Sequence, residues 1–90
     1  PVPLHCELSQ NYPNPFNPMT TIEFTLPKAE FVELTVYDVL GREVANLVSG
    51  RLNQGTYSVT FDGRNLASGV YTYKLTAGEF TEVKKMILVK

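Results

Sequence analysis

The chain has 90 residues, enough for one small domain, and two domains are excluded because single cores usually occupy about 100 to 150 residues. With 43% hydrophobic and 19% charged residues it lies among folded globular domains and outside the low-hydrophobicity, high-charge range of disorder. A formal charge of -1 leaves no electrostatic footprint for nucleic acid or an anionic membrane surface; the single Cys6 and single His5 exclude an internal disulfide and, by themselves, a zinc site or catalytic dyad.

The chain opens Pro1-Val2-Pro3-Leu4-His5, without an initiator methionine or the basic and apolar regions of a signal peptide, and so reads as a piece of something longer. No apolar run approaches the roughly 20 residues that span a bilayer. All six prolines fall in the first 27 residues, which divides the chain into a proline-punctuated entry and a proline-free body. Residues 1–10 are expected to be linker with room for a first strand around Cys6 to Ser9, 11–19 a proline- and asparagine-rich arm, and 20–90 a β-sandwich.

In the body the apolar period is two, the signature of half-buried strands. Ile22, Phe24 and Leu26 alternate with Thr21, Glu23 and Thr25; Val32, Leu34 and Val36 then share a face opposite Phe31, Glu33, Thr35 and Tyr37. A shorter run covers Glu43 to Val48. Tyr57, Val59 and Phe61 form the next inward set, followed by Tyr71, Tyr73, Leu75 and Ala77. In the last run, Phe80 to Val89, Phe80, Glu82, Lys84, Met86 and Leu88 face opposite Thr81, Val83, Lys85, Ile87 and Val89, with a polar first half and a buried second half.

Asp38-Val39-Leu40-Gly41, Asn53-Gln54-Gly55, Asp62-Gly63 and Ala77-Gly78-Glu79 supply turn chemistry between the runs. Six strands, with a seventh near Cys6 to Ser9, predict an immunoglobulin-like antiparallel β-sandwich of about seven strands. Leu66-Ala67-Ser68-Gly69-Val70-Tyr71 fits a tyrosine corner, so the Tyr71 hydroxyl is expected to bond backbone a few residues upstream.

The segment Asn11-Tyr12-Pro13-Asn14-Pro15-Phe16-Asn17-Pro18 is more organised than a linker needs. Each X-Pro step disfavours helical backbone at the residue before it, which predicts a stiff extended arm with Tyr12, Phe16 or both capping the end of the sandwich. Leu8 to Ile22, reading LSQNYPNPFNPMTTI, together with VYDVLGREV, LASGVY and the final KKMILVK, resembles the type A C-terminal sorting domain of type IX secretion cargo. The likeness runs from about Leu8 to Lys90 and rests on three landmarks in order: Pro13-Asn14-Pro15, Gly69-x-Tyr71, and the lysine-bearing last strand with Lys84, Lys85 and Lys90. Met19 departs from the Ser or Thr more usual in that family.

What the resemblance implies is a label on a larger exported protein, secreted or held at the cell surface after passing through the periplasm. Its partners would be a covalently linked N-terminal passenger, an outer-membrane translocon and a sortase or attachment complex that removes the label and anchors the passenger. Pro13, Asn14, Pro15, Gly69, Tyr71, Lys84, Lys85 and Lys90 would be read by the translocon, and removal of Lys85 to Lys90 would then abolish export. Lys90, directly after a strand, is expected to end the parent chain.

Each sharper reading has a plainer one beside it. The lysines of the last strand equally suit protection of an edge strand. Adjacent His5 and Cys6 point opposite ways on extended chain, which disfavours a joint metal or nucleophile role. Tyr57, Tyr71 and Tyr73 could form a sugar platform, yet their phase with Val59, Phe61 and Leu75 favours core packing. Asp38, Asp62 and the asparagines have turn roles, leaving calcium a minor alternative. No cofactor, metal, catalytic group, nucleic acid or small-molecule substrate is expected. The alternatives to a sorting domain are a fibronectin-like structural spacer and a carbohydrate-binding module of a secreted enzyme.

Overall fold

The computed structural model describes residues 5–90, and the part of the expected linker at residues 1–4 lies outside the described residues. Seven strands follow in order: β1 (Glu7–Leu8), β2 (Met19–Leu26), β3 (Glu30–Tyr37), β4 (Glu43–Leu52), β5 (Gly55–Asp62), β6 (Gly69–Ala77) and β7 (Phe80–Leu88). They form an antiparallel three-stranded sheet ordered β1-β2-β5 and an antiparallel four-stranded sheet ordered β4-β3-β6-β7. This is the immunoglobulin-like sandwich that the strand pattern predicts, and β1 supplies the expected strand between Cys6 and Ser9.

Alternation decides which face of each strand is buried. Ile22, Phe24 and Leu26 of β2 meet Val32, Leu34 and Val36 of β3 and Tyr71, Tyr73, Leu75 and Ala77 of β6 in one core, joined by Phe61, Met86 and Leu88. Burial of each such side chain contributes about 1.5–3 kcal/mol, which makes this continuous core the main stabilising element of a domain without disulfides. Tyr57 is half-buried and stacks on Phe24 with ring centroids 5.4 Å apart.

The turns also follow local chemistry. Asp38 Oδ1 accepts the N–H groups of Leu40 and Arg42, both at 2.9 Å, and Gly41 adopts φ 82°, a left-handed conformation that costs a glycine little. Gly78, at φ 61°, leads the two-residue loop between Ala77 and Phe80. Gly63 has another reason to be glycine: a Cβ there would stand 3.1 Å from Leu88 Cδ2 and 3.3 Å from Phe16 Cε2. Its role is close approach, which turn chemistry does not reveal.

One boundary differs from the sequence reading. The fourth run does not stop at Val48 but continues to Leu52, because the ladder with β3 carries on through Ser49, Gly50 and Arg51 to the Glu30–Leu52 pair. Two register shifts, between Leu34 and Thr35 and between Val36 and Tyr37, bend this long strand.

The face assignment predicts that Leu75→Ala loses about 2–5 kcal/mol in chemical denaturation, whereas Val83→Ala, on the outer face, stays within about 0.5 kcal/mol of the parent. Equal losses at both positions would contradict it.

Candidate functional site

The proline- and asparagine-rich segment is bent, and it is part of the sandwich. Bends fall at Pro13-Asn14-Pro15 and at Asn17-Pro18, while Tyr12 bridges Thr21 and Phe16 forms a parallel bridge to Leu88. Hydrogen bonds account for the departure from an extended arm. Asn11 Nδ2 and Thr20 Oγ1 donate to the Pro13 carbonyl at 3.1 and 2.9 Å, and Asn11 Nδ2 also reaches Thr20 Oγ1 at 3.0 Å. The two aromatics part company: Phe16 is 1% exposed and meets Phe61 edge-on at 6.0 Å, while Tyr12 is 81% exposed.

The bent segment covers the outer edge of β7. The Phe16 N–H donates to the Ile87 carbonyl at 2.9 Å, and the Val89 N–H donates back to the Phe16 carbonyl at 3.0 Å. The Ile87 N–H finds Asn14 Oδ1 at 3.0 Å, and Gln10 Nε2 donates to the Lys85 carbonyl at 2.7 Å. The outward backbone groups of an edge strand, a standing invitation to further pairing, are thus answered from the Lys85 carbonyl to the Val89 N–H by the chain itself.

Tyr73 ties the start of the segment to the opposite sheet. Its hydroxyl donates to the Ser9 carbonyl and accepts the Asn11 N–H, each at 2.7 Å. Burial pushes the Tyr73 phenol up to about 12, against a smaller lowering by the Asn11 N–H and a further small rise from Glu82.

The second landmark lies on the other side of the same strand. Gly69 pairs with Leu88 and Tyr71 with Met86, and the Tyr71 hydroxyl donates to the Ala67 carbonyl at 2.6 Å, the tyrosine-corner bond expected from the sequence. Pro13, Asn14, Pro15, Gly69 and Tyr71 therefore meet around the C-terminal half of β7.

The three lysines have different surroundings. Lys84 pairs with Glu82 at 3.2 Å. Lys90 donates its ammonium to the Arg64 carbonyl and its backbone N–H to Ser68 Oγ at 3.0 Å. Lys85 is exposed, with no ion-pair partner among the described residues. Removing Lys85 to Lys90 would also delete Met86 and Leu88, both fully buried, so that truncation tests folding rather than recognition.

Phe16 caps the sandwich as the sequence led one to expect, while Asn11 and Gly63 also belong to this corner and were not singled out for it in the sequence. A signal for Asn11 was available, since an asparagine just before a proline-rich bend is suited to bonding backbone two residues on. The close approach of Gly63 to Phe16 and Leu88 leaves no such trace.

Other candidates resolve locally. His5 Nε2 lies 3.2 Å from Glu7, and Cys6 is half-buried, its thiol pushed up chiefly by burial and further by the charge of Glu30. Among the described residues no three of the His, Cys, Asp and Glu side chains group as metal ligands. The Arg42 backbone N–H foremost holds the Asp38 carboxyl below its usual range, and the Arg64 guanidinium foremost does the same for Asp62. Tyr71 and Tyr73 are buried and Tyr57 packs on the core, so these three form no sugar platform.

The Tyr73 shift sets an alkaline limit. Below pH 10 the phenol is protonated in both folded and unfolded chains; between 10 and about 12 the unfolded chain releases the proton while the folded one keeps it, so stability falls as pH rises. Denaturation midpoints should fall across that window, and Tyr73→Phe should lower stability at neutral pH by about 1–3 kcal/mol because the buried Asn11 N–H loses its partner. Unchanged neutral-pH stability in Tyr73→Phe would contradict this role.

The family whose model matches this chain is the secretion system C-terminal sorting domain, and the match covers residues 10–90. Searches of curated proteins and of solved structures gave no match. The three landmarks and strands β2 to β7 lie within the matched span, and the chain belongs to the family of C-terminal sorting domains of type IX secretion cargo.

Proposed function

We propose that this domain directs a larger N-terminal passenger across the outer membrane by way of the periplasm, and that the translocon reads the corner where the arm meets β7. Membership of the sorting-domain family supports the role, and a signal rather than an enzyme is the reading it favours. The observation that carries the choice of site is the convergence of three landmarks, distant in sequence, on one end of one strand.

The landmark residues divide by what they touch. Pro13, Asn14, Pro15, Gly69 and Tyr71 shape the corner, and their contribution to recognition is to hold its form. Lys84 and Lys90 are engaged by Glu82 and by the Arg64 carbonyl, which leaves Lys85, among the three lysines, as the charge presented outward, on the same face as exposed Ile87 and Val89. An apolar patch with one free cation suits a partner surface that is apolar at its centre and acidic at its rim. Sortase removal and anchoring of the passenger at the surface follow export in this reading.

The experiment fuses residues 1–90 behind a periplasm-directed fluorescent passenger in a bacterium with a type IX system and compares it with a translocon-deficient strain. Passenger at the surface or in the medium only in the competent strain is the expected result, and periplasmic retention in both would refute the role. Lys85→Glu should lower export at least about tenfold while the melting temperature of the purified domain holds, because an exposed charge reversal leaves the core intact. Full export of Lys85→Glu would remove that residue from the recognition surface.

A further inference from the structure

The sandwich has four sheet edges, and three are blunted. β1 is two residues long and carries Glu7. β4 bears Glu43 and Arg51 and is bent by two register shifts. β7 carries Lys84 and Lys85 and is covered by the arm from Lys85 to Val89. β5 has the least of these devices: its one charged residue is Asp62 at its very end, from Gly55 to Phe61 it contains no charge and no proline, and among the described residues it pairs with β2 alone. An edge of this kind is a template for another strand.

The layers leave a place for that strand. Tyr73, Gln10 and Asn14 fix the β1 side of the smaller sheet across β6 and β7, so counting across from that side sets β5 over the β3–β4 pair and leaves β4 only partly covered among the described residues. Burial agrees with that count. Val32, Leu34 and Val36 of β3 are fully buried, whereas no residue of β4 is; Val44, Ala45, Leu47, Val48 and Leu52 are only partly covered. Tyr57 and Val59 of β5 are half-buried along the same seam.

We infer that the free edge of β5 is a strand-addition site for an extended polypeptide segment about six residues long, uncharged, with apolar side chains at alternate positions. Its backbone would pair with β5, and its apolar side chains would fill the seam beneath β4, the arrangement by which strand addition combines main-chain affinity with side-chain selectivity. The uncharged edge favours an uncharged segment. A second copy is a poor occupant: an antiparallel β5–β5 pair about a two-fold axis keeps both larger sheets on the same side, and the partner's β3 would fall where β4 already lies. The inference does not rest on the sorting role.

The test is an NMR titration of the 90-residue chain with a capped peptide copying Thr56–Phe61, carrying two lysines beyond one end for solubility. The expected result is slowed amide exchange within β5 and methyl shifts at Val48, Leu52 and Val59. A peptide of the same composition in an order that breaks the alternation should bind at least about tenfold more weakly, a difference of about 1.4 kcal/mol. Val48→Lys, which puts a charge in the seam, should weaken binding by a similar factor. Absence of any shift at millimolar peptide would overturn the inference, as would perturbation confined to β7 or β4, or equal binding of the two peptides. Concentration-dependent shifts at β5 without peptide would overturn the choice of occupant in favour of a second copy.

Discussion

The last strand of a sheet carries outward N–H and C=O groups that must be paired, hydrated or covered, and in this domain the chain covers its own last strand. Phe16 exchanges two backbone hydrogen bonds with Ile87 and Val89, Asn14 caps the Ile87 N–H and Gln10 takes the Lys85 carbonyl. The remaining corner geometry depends on this clamp. Phe16 and Leu88 close tightly over Gly63, where a Cβ would crowd both, and the arm is held at its start by the hydroxyl of Tyr73. Residues some seventy positions apart in the chain are in this way parts of one structural unit.

That unit gives the family landmarks a physical meaning. Pro13 to Pro15 lie over one side of the end of β7, and Gly69 to Tyr71 pair with the other. A secretion signal composed of a fold, rather than of a linear motif, would be legible only after folding. The division among the lysines follows from the same contacts, since two of the three are engaged by neighbouring groups and only Lys85 faces outward free of one among the described residues.

Much of the fold could be read before the structure because most strands keep a period of two and one buried face; β2, β6 and β7 show this without ambiguity. The full length of β4 was not legible, since Ser49 and Gly50 look like a break and only pairing with β3 carries the strand past them. The route of the arm was hidden for a different reason. Proline stiffness predicts an extended segment, but the observed bends are held by tertiary bonds to Thr20 and Ile87, which no local propensity encodes. The open edge of β5 needed both the sheet order and the absence of charge, and only the second is visible in the sequence.

The clamp is the central claim, and native-state hydrogen exchange tests it most directly. If the arm holds β7, the Ile87 and Val89 amides exchange as slowly as amides inside the four-stranded sheet, and Asn14→Ala accelerates Ile87 while Val32 and Leu75 stay protected. Rapid exchange of both amides in the parent domain would contradict the account, because it would mean that the last strand is open and the landmarks converge without closing it.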